Sequence, residues 1–582
     1  MTQLLLIFGL IIRLFLIPVP GFKADIAFWK GWGLAVADKG ILWLANNTNY
    51  NYPPGFAYIL YTINKIYAFF KNPYDINQYW LDTNTLYLFL LKSITIISDI
   101  GIVLLILAIA KKIKFKWGWL LALFYFLNPV AILDGVIWGQ VDQFGVFLFL
   151  SAIYLLLLKK PGWSSVVFAI SFLMKFQNII FIPLYYLFIY REYSWDELIK
   201  SLRNSVITCL IVCLPFWLNH QSESLIRLIT INSDWFPWYS LNAFNFWWIM
   251  SGMKGMEVCD KTLVLGILNA KQTGFIFFSF TYAISVLGLY LAKKENLFKQ
   301  LIIGCILVVF AFFHILTQSH ERYLYHLLVL IPIMIMFDTA KNLLKSSIFL
   351  LFFSIGMFLN MYLSIAMNYP DQVIWPVTAT VSANLSFLVS LFQIGLFIYF
   401  ILTYIINNIK IPIQYFLILL SIIVVYILGK NINYILSKPI SLTSLSPIYS
   451  RQDYLTPAYN KTVEASRGVF FWNRLSNNYY FYEKGIGSHA DSIIIYNLGK
   501  RFSRFKTDFG MDTEAAAEAK AFFIIEGDNK VLFSSQSKGR FDTPGITEVD
   551  VTHINNLTLK IVKDGNSNYG AHADWFNPEL IR

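Results

Sequence analysis

Residues 133–145 read Leu133-Asp134-Gly135-Val136-Ile137-Trp138-Gly139-Gln140-Val141-Asp142-Gln143-Phe144-Gly145, with Asn128-Pro129 shortly before them. Two acids eight residues apart, with glycines and a tryptophan between them, interrupt a chain that is apolar on both sides. The pattern reads as a short loop that bends back over a bilayer surface and could hold a metal ion or bind sugar hydroxyls. The plainer alternative is an ordinary turn with Asp142 beside the N-terminus of the next helix, where the macrodipole favours an acid.

Outward from this stretch the chain is strongly hydrophobic. Of its 582 residues 57% are hydrophobic, 18% aromatic and only 14% charged, where soluble domains carry about 25% charged residues. Apolar stretches approaching the roughly 20 residues that span a bilayer recur from Leu4 to about Leu428. They predict about thirteen transmembrane helices, near 3–19, 86–110, 117–133, 143–158, 163–174, 178–190, 204–218, 274–292, 300–316, 323–338, 346–367, 382–406 and 411–428. No small-residue cleavage site follows the first, which is therefore read as a retained span. Cys209, Cys213, Cys259 and Cys305 show neither pairing nor metal-type spacing.

Beyond residue 440 the text changes to short alternating runs such as Ser492-Ile493-Ile494-Ile495-Tyr496 and Phe522-Phe523-Ile524-Ile525-Glu526, separated by turns such as Gly527-Asp528-Asn529. That is an antiparallel β domain. It holds 16 basic and 16 acidic residues, so the net charge of +12 belongs entirely to the helical part. There the basic residues gather in alternate loops, at Lys111, Lys112, Lys114 and Lys116, at Lys159 and Lys160, at Arg191, Lys200 and Arg203, at Lys293, Lys294 and Lys299, at Lys341 and Lys345, and at Lys410. The positive-inside rule makes these loops cytoplasmic. The excess basicity thus reports membrane topology and calls for no nucleic-acid partner. A cytoplasmic N-terminus and thirteen spans place the β domain outside the cell membrane.

The same topology sends twelve of the eighteen acids of the helical part outward. Some sit at helix edges, where a charge is costly unless it is used. Asp25 lies just beyond the first span, in an outer loop of about residues 20–85 that also carries Trp29, Trp32 and Asn51-Tyr52-Pro53-Pro54-Gly55. A carboxylate above the membrane beside an indole able to stack on a sugar suits a base acting on a lipid-linked sugar. An exposed acid beside an interfacial aromatic belt is the alternative. Lys175 and Gln177 break an apolar stretch at an outward end. Arg13 and Asp99, both inside spans, are candidates to pair with each other. In Ser319-His320-Glu321-Arg322-Tyr323-Leu324-Tyr325-His326 the HExxH zinc motif fails at Leu324. An Arg and a His together at the membrane surface suit a phosphate, and a Glu321–Arg322 salt bridge is the alternative.

The outer-loop Asp, the YPP segment, the NP…DGVIWGQVDQFG stretch and the HERYL motif together resemble the GT-C superfamily of integral membrane glycosyltransferases, nearest to the polyprenyl-phosphate-dependent mannosyltransferases and glucosyltransferases. The likeness spans most of residues 1–430. It implies a GT-C-like polytopic α-helical fold and transfer of a hexose, mannose or glucose, from a polyprenyl-phosphate donor to an extracytoplasmic glycan, glycolipid or protein, with inversion. It further implies Asp25 as general base, His320, Arg322 and Lys175 at the donor phosphate, and Trp29, Asp134, Trp138, Gln140 and Asp142 around the substrate. Many relatives carry a second acid beside the first-loop Asp, where this chain has Ala24 and Ile26. A divalent metal at the membrane site is therefore an open expectation.

Lys484-Gly485-Ile486-Gly487-Ser488-His489-Ala490, Asp508-Phe509-Gly510-Met511-Asp512 and His572-Ala573-Asp574-Trp575 resemble the NPCBM group of carbohydrate-binding modules. This implies a jelly-roll β-sandwich over about 455–582, joined to the helical domain 1–430 by a linker at 431–454. Trp472, Tyr569, His572 and Trp575 are the expected glycan contacts, with Ca²⁺ at Asp508, Asp512 or Asp574. The alternative for HADW is a structural plug whose Asp and His are satisfied internally. Two other function classes stay in view. A transporter or flippase of lipid-linked sugars should show internal repeats and midplane charges, whereas the polar residues here gather at one face. A nonenzymatic glycan-binding anchor would not need acids and an Arg at the outward helix ends.

Overall fold

The computed structural model describes residues 2–230, 236–265, 268–368, 379–406, 439–463, 475–477 and 480–581. The chain forms two compact units. The first is helical and comprises 1–235, 240–253 and 274–411; the second comprises 236–239, 254–273 and 412–582.

The helical unit opens with α1 (Thr2–Leu16), α2 (Lys23–Asn47), α3 (Pro54–Phe70) and α4 (Thr85–Lys112). The expected outer loop of 20–85 is thus largely two helices. Pro54 sits at the first position of α3, where its missing N–H costs nothing. Asn84 caps α4 by accepting from the Tyr87 N–H. There follow α5 (Gly118–Phe126), α6 (Asp142–Leu157), α7 (Pro161–Met174), α8 (Ile182–Glu192) and α9 (Trp195–Val212). Ser194 opens α9 by accepting from Glu197 N–H, in a Ser-x-x-Glu capping arrangement. Then come α10 (Ala270–Leu291), α11 (Leu297–Ile315), α12 (Leu327–Met336), α13 (Ala340–Asn368) and α14 (Ala379–Phe400).

Among the described residues five helices are long and apolar enough to cross a membrane: Thr85–Lys112, Ala270–Leu291, Lys294–Ile315, Asn342–Met367 and Leu385–Ile405. The pair Gly118–Phe126 and Pro129–Trp138, bent by 41°, passes the same test only when taken together, as a broken span or a re-entrant loop. Several of the other stretches expected to span are shorter helices, including Leu4–Leu16, Asp142–Leu157, Pro161–Met174 and Leu327–Met336. The stretch 411–428 lies outside the described residues. Short helices that break inside an apolar protein leave polar backbone to be satisfied by neighbouring elements. In this unit the breaks occur where the candidate residues stand, at 127–128, 139–141, 175–181 and 316–326.

The second unit is a β-sandwich. Its strands are β1 (Ile440–Ser441), β2 (Tyr449–Gln452), β3 (Ala458–Tyr459), β4 (Gly485–His489), β5 (Ser492–Asn497), β6 (Arg504–Met511), β7 (Lys520–Gly527), β8 (Lys530–Ser534), β9 (Lys538–Gly539), β10 (Gly545–Asp550), β11 (Asn556–Lys563) and β12 (His572–Ile581). One antiparallel sheet runs β10-β6-β12-β4-β3 with β1 beside β12; the other runs β8-β7-β11-β5-β2 with β9 beside β7. Burial alternates along β7 and β5, as a strand with one face on a core requires. Phe509 and Trp575 of the first sheet meet Phe523 of the second at ring-centre distances of 5.0 and 5.3 Å. The β7–β8 turn places Asp528 and Asn529 at φ 48° and 68°, the left-handed pair a two-residue hairpin favours.

Two boundaries differ from expectation. The linker expected at 431–454 already contains sheet strands: Ile440 pairs with Leu580, and Tyr449–Gln452 pair with β5. These edge strands are too short, and β2 too exposed, to print an alternating pattern. Residues 236–239 and 254–273, expected in the helical domain, cluster with the β unit. Cys259 packs there with Leu475, Tyr480, Tyr482 and Phe576, and Lys261 Nζ donates to the Tyr480 hydroxyl.

Candidate active site

Five separate segments of the helical unit meet at one cluster. Asp25 stands in the first turn of α2, and Gln140 Nε2 donates to its Oδ2. The 133–142 stretch forms a π-helical turn, Leu133–Trp138, closed by Gly139. Gly139 has φ 88°, and a Cβ there would stand 3.2 Å from Ile26 Cδ1. The αL turn lets Gln140 N–H return to Asp134 O at 2.9 Å, so that the Gln140 side chain reaches Asp25 and Asp142 opens α6. The backbone N–H of Phe22 donates to Trp138 O at 2.7 Å, fastening the approach to Asp25 onto the same turn.

Asp142 is the hub of the charges. Its Oδ1 accepts from Lys175 Nζ at 2.8 Å, and its Oδ2 faces Arg322 Nε at 3.3 Å. The second of these is an ion pair whose N–H is not aligned for a hydrogen bond. Arg322 Nη1 also binds Glu321 Oε1 at 2.6 Å, and His320 Nδ1 lies 3.8 Å from Glu321 Oε2. Lys175 is at the break after α7, and Gly145 makes room for it: a Cβ at 145 would stand 3.0 Å from Lys175 Cβ. The Lys175 ammonium lies 5.5 Å from the Tyr52 ring centre, and the Arg322 guanidinium 6.0 Å from that of Trp138.

The titrations follow from burial and these charges. Burial raises the Asp25 carboxyl above the usual range; Arg322, His320 and Lys175 pull it back, and Glu321 pushes it up again. Burial also acts on Glu321, but Arg322 and His320 outweigh it and hold that acid at about 2. His320 is lowered by burial and by Arg322. Asp134 is fully buried, and neither carboxylate oxygen has a hydrogen-bond partner.

The structure therefore brings Asp25, Gln140, Asp142, Lys175, His320 and Arg322 together, with Trp138 alongside. The Glu321–Arg322 salt bridge is present, and Arg322 also faces Asp142. Arg13 and Asp99 do pair, Nε to Oδ2 at 2.7 Å. Trp29 departs from expectation: it is buried, with Phe56 edge-on at 5.7 Å and Tyr52 at 6.3 Å, so it offers no open face for a sugar. Tyr52, Asn178 and His326 were not legible as partners. Asn178 Oδ1 accepts from His326 Nε2 at 2.6 Å and its Nδ2 donates to Gly145 O at 3.0 Å, tying the Lys175 and Arg322 segments together. Lys92 had a signal, a lysine inside an apolar span.

A divalent cation does not fit this cluster. Asp142 is already committed to two cations, and among the described residues no group of three or more His, Cys, Asp or Glu side chains could hold a metal ion.

In the β unit, His572 lies beside His489 at 5.1 Å and Tyr454 at 6.0 Å, and Tyr569 is 84% exposed. Trp575 is wholly buried between the sheets, which corrects its assignment as a glycan contact. Trp472 lies outside the described residues. Of the expected Ca²⁺ ligands, Asp512 and Asp574 lie side by side, and Asp508 stands apart from them. Asp508 is within β6 and Asp512 just past its end, four residues on, about 13 Å away by strand rise. Asp512 accepts Ser476 and Glu514 N–H, and Asp574 accepts Ser488 N–H. One oxygen of the HADW acid, Oδ1, is thus taken by a backbone N–H, while Oδ2 accepts no such bond.

Residues 440–581 match the NPCBM/NEW2 domain model. Over 101 residues the chain is 33% identical to a curated Renibacterium salmoninarum protein named "Putative endo-alpha-N-acetylgalactosaminidase"; the match covers 17% of this chain and spans 7% of that protein. Among solved structures, the CBM51 of Clostridium perfringens GH95 in complex with methyl-galactose is 24% identical, covering 25% of this chain and 99% of that one, with a TM-score of 0.22. CBM51-2 with the INT domains of Clostridium perfringens ZmpB, in complex with GlcNAc, is 22% identical over 25% of this chain and 32% of that one, with a TM-score of 0.23. The arabinosyltransferase EmbB of Mycobacterium smegmatis is 10% identical, covering 100% of this chain and 64% of that one, with a TM-score of 0.29. The protein is thus a chain of apolar helices followed by a β-sandwich that carries an NPCBM/NEW2 domain.

Proposed function

We propose that this protein is a membrane glycosyltransferase that moves a hexose, mannose or glucose, from polyprenyl phosphate to an extracytoplasmic glycan, glycolipid or protein. The observation that carries the reading is the convergence of a half-buried carboxylate, Asp25, with the cations Lys175 and Arg322, from segments far apart in sequence.

In this reading Asp25 takes the proton of an acceptor hydroxyl, whose oxygen forms the new bond to the anomeric carbon from the face opposite the phosphate. The bond from that carbon to the phosphate oxygen breaks, and polyprenyl phosphate leaves with the electron pair. A phosphate is a good leaving group, so no general acid is required. Gln140 aims Asp25, while Arg322, Lys175 and His320 meet the phosphate. Because Asp142 and Glu321 already hold the two cations in place, little reorganisation is needed when charge develops. Asp134 and Trp138 complete the substrate side. The protein would be a multi-pass cell-membrane protein, its N-terminus cytoplasmic and the site and β unit outside. In the β unit Tyr569 and His572 would contact the acceptor or product glycan.

The test is incubation of purified protein with radiolabelled polyprenyl-phosphate mannose and glucose, wild type against Asp25→Asn. Transfer that depends on Asp25 supports the reading. Equal transfer by both removes Asp25 from the mechanism, and no transfer from either donor moves the weight to a transporter.

A further inference from the structure

Within the apolar middle of helix α4 runs a buried polar row. Lys92, Thr95 and Asp99, at i, i+3 and i+7, are all buried on it, and that spacing puts them in one row. Each holds a different piece of the site. Lys92 Nζ donates to Ile17 O at 3.1 Å and to Val19 O at 2.5 Å, in the turn that follows α1. Six residues after Val19 comes Asp25. Between them Gly21 takes φ 82° to pass Trp138, where a Cβ would stand 2.8 Å from the carbonyl oxygen, and Phe22 N–H donates to that same oxygen. Thr95 Oγ1 donates to Gln140 O at 3.2 Å, and a Cβ on Gly139 would stand 3.7 Å from Lys92 Cε. Both partners of the Asp25–Gln140 hydrogen bond therefore rest on α4, Asp25 through the Lys92 turn and Gln140 through Thr95. Asp99 extends the row by binding Arg13 and accepting from the Tyr125 hydroxyl at 2.6 Å, which lies 3.1 Å from that of Tyr325, three residues beyond Arg322.

We propose that Lys92 is a positioning residue for Asp25: its ammonium gathers the carbonyls of the 17–19 turn and fixes the carboxylate against Gln140. An ammonium inside an apolar helix is costly unless it serves something, and here its bonds go to the one turn that leads to Asp25. The inference rests on the reading of Asp25 as the base.

The experiment compares wild type, Lys92→Met and Lys92→Arg, each with Asp25 or with Asp25→Asn. Methionine keeps the length and loses the donors. With Asp25 present, Lys92→Met should lower kcat by about 10- to 100-fold, the scale expected when a reacting group is slightly misplaced, with the donor KM changed less than about 3-fold. Lys92→Arg, which keeps long charged donors, should recover part of the rate. In the Asp25→Asn background Lys92→Met should cost nothing further, because residues acting through one another are not additive. Amide hydrogen exchange supplies a readout independent of any donor: residues 17–26 should exchange faster in Lys92→Met, while 297–336 stay at the wild-type rate. Equal fold-losses in both backgrounds, an unchanged kcat, or unchanged exchange over 17–26 would overturn the proposal. If the wild type transfers neither sugar, the transferase reading fails and the exchange result alone decides whether Lys92 holds the Asp25 turn.

Discussion

Asp25 stands where burial and charge oppose each other, and that opposition fixes its pH behaviour. A base works only when ionised. Since burial lifts this carboxyl above the roughly 3.9 of a free Asp, and the nearby cations only partly reverse that, transfer should fall with acidification at a pH above the ordinary carboxylate range. Glu321, held at about 2, stays ionised over that window and adds no limb of its own. Replacing Arg322 by Gln removes the largest of the influences that lower Asp25, so the acid limb of the kcat–pH profile should move upward. A limb unmoved by Arg322→Gln would separate the two residues. Asp25→Asn should reduce kcat by about 10²- to 10⁴-fold, the usual contribution of a general base, with the donor KM little changed. These residue types were legible in the sequence because acids and cations are rare in an apolar chain. Trp29 and Trp575 misled for the opposite reason: aromatic residues are common here, and nothing in the letters separates an indole facing a ligand from one in a core.

At the scale of elements, hydropathy found the apolar segments but not their breaks. Residues 23–47 and 54–70 form helices although they read as a loop, because Lys30, Asp38, Lys39, Asn64 and Lys65 interrupt their apolar residues and a window that seeks whole spans passes over them. The reverse holds at Lys175–Phe181, where the sequence suggests a turn between two short spans and the structure gives a 3₁₀ turn, Phe176–Phe181, whose Asn178 ties three elements together. Asn178→Ala would leave Gly145 O and His326 Nε2 without their bonds. Each buried group stranded this way costs about 1–3 kcal/mol, so the helical unit should lose stability in a detergent melt, and transfer should fall because the Lys175 and Arg322 segments drift apart. Ser194→Ala is the matching control. Losing that cap should cost about 1 kcal/mol while leaving transfer by the folded fraction at the wild-type rate. A Ser194→Ala loss of activity equal to that of Asn178→Ala would mean that general stability, not local geometry, controls the site.

At the scale of the whole molecule, the charge split at residue 440 anticipated two units of different character, and alternation anticipated the sandwich. What the letters did not reveal is that the β unit draws on residues 236–239 and 254–273, since Cys259 and Lys261 acquire meaning only beside Tyr480 and Phe576. Nor did they reveal that Asp512 and Asp574 face each other inside it. Burial raises both carboxyls, and the Asp512 charge raises Asp574 further, so the expected outcome is one proton shared between them in the folded unit. An unfolded chain releases that proton at the ordinary carboxylate pKa, whereas the folded unit holds it to higher pH. The pair's contribution to stability is therefore complete below about pH 3.9 and is lost as pH rises through the raised folded-state pKa. Asparagine at 574 can donate permanently to Asp512 and still accept Ser488 N–H, reproducing the protonated form. Hydrogen-exchange protection of β4, β6 and β12, corrected for intrinsic rate, should decline across this range in the wild type and stay flatter in Asp574→Asn. Equal pH dependence in the two proteins would show that the proton is not shared, and that the HADW acid is held by Ser488 alone.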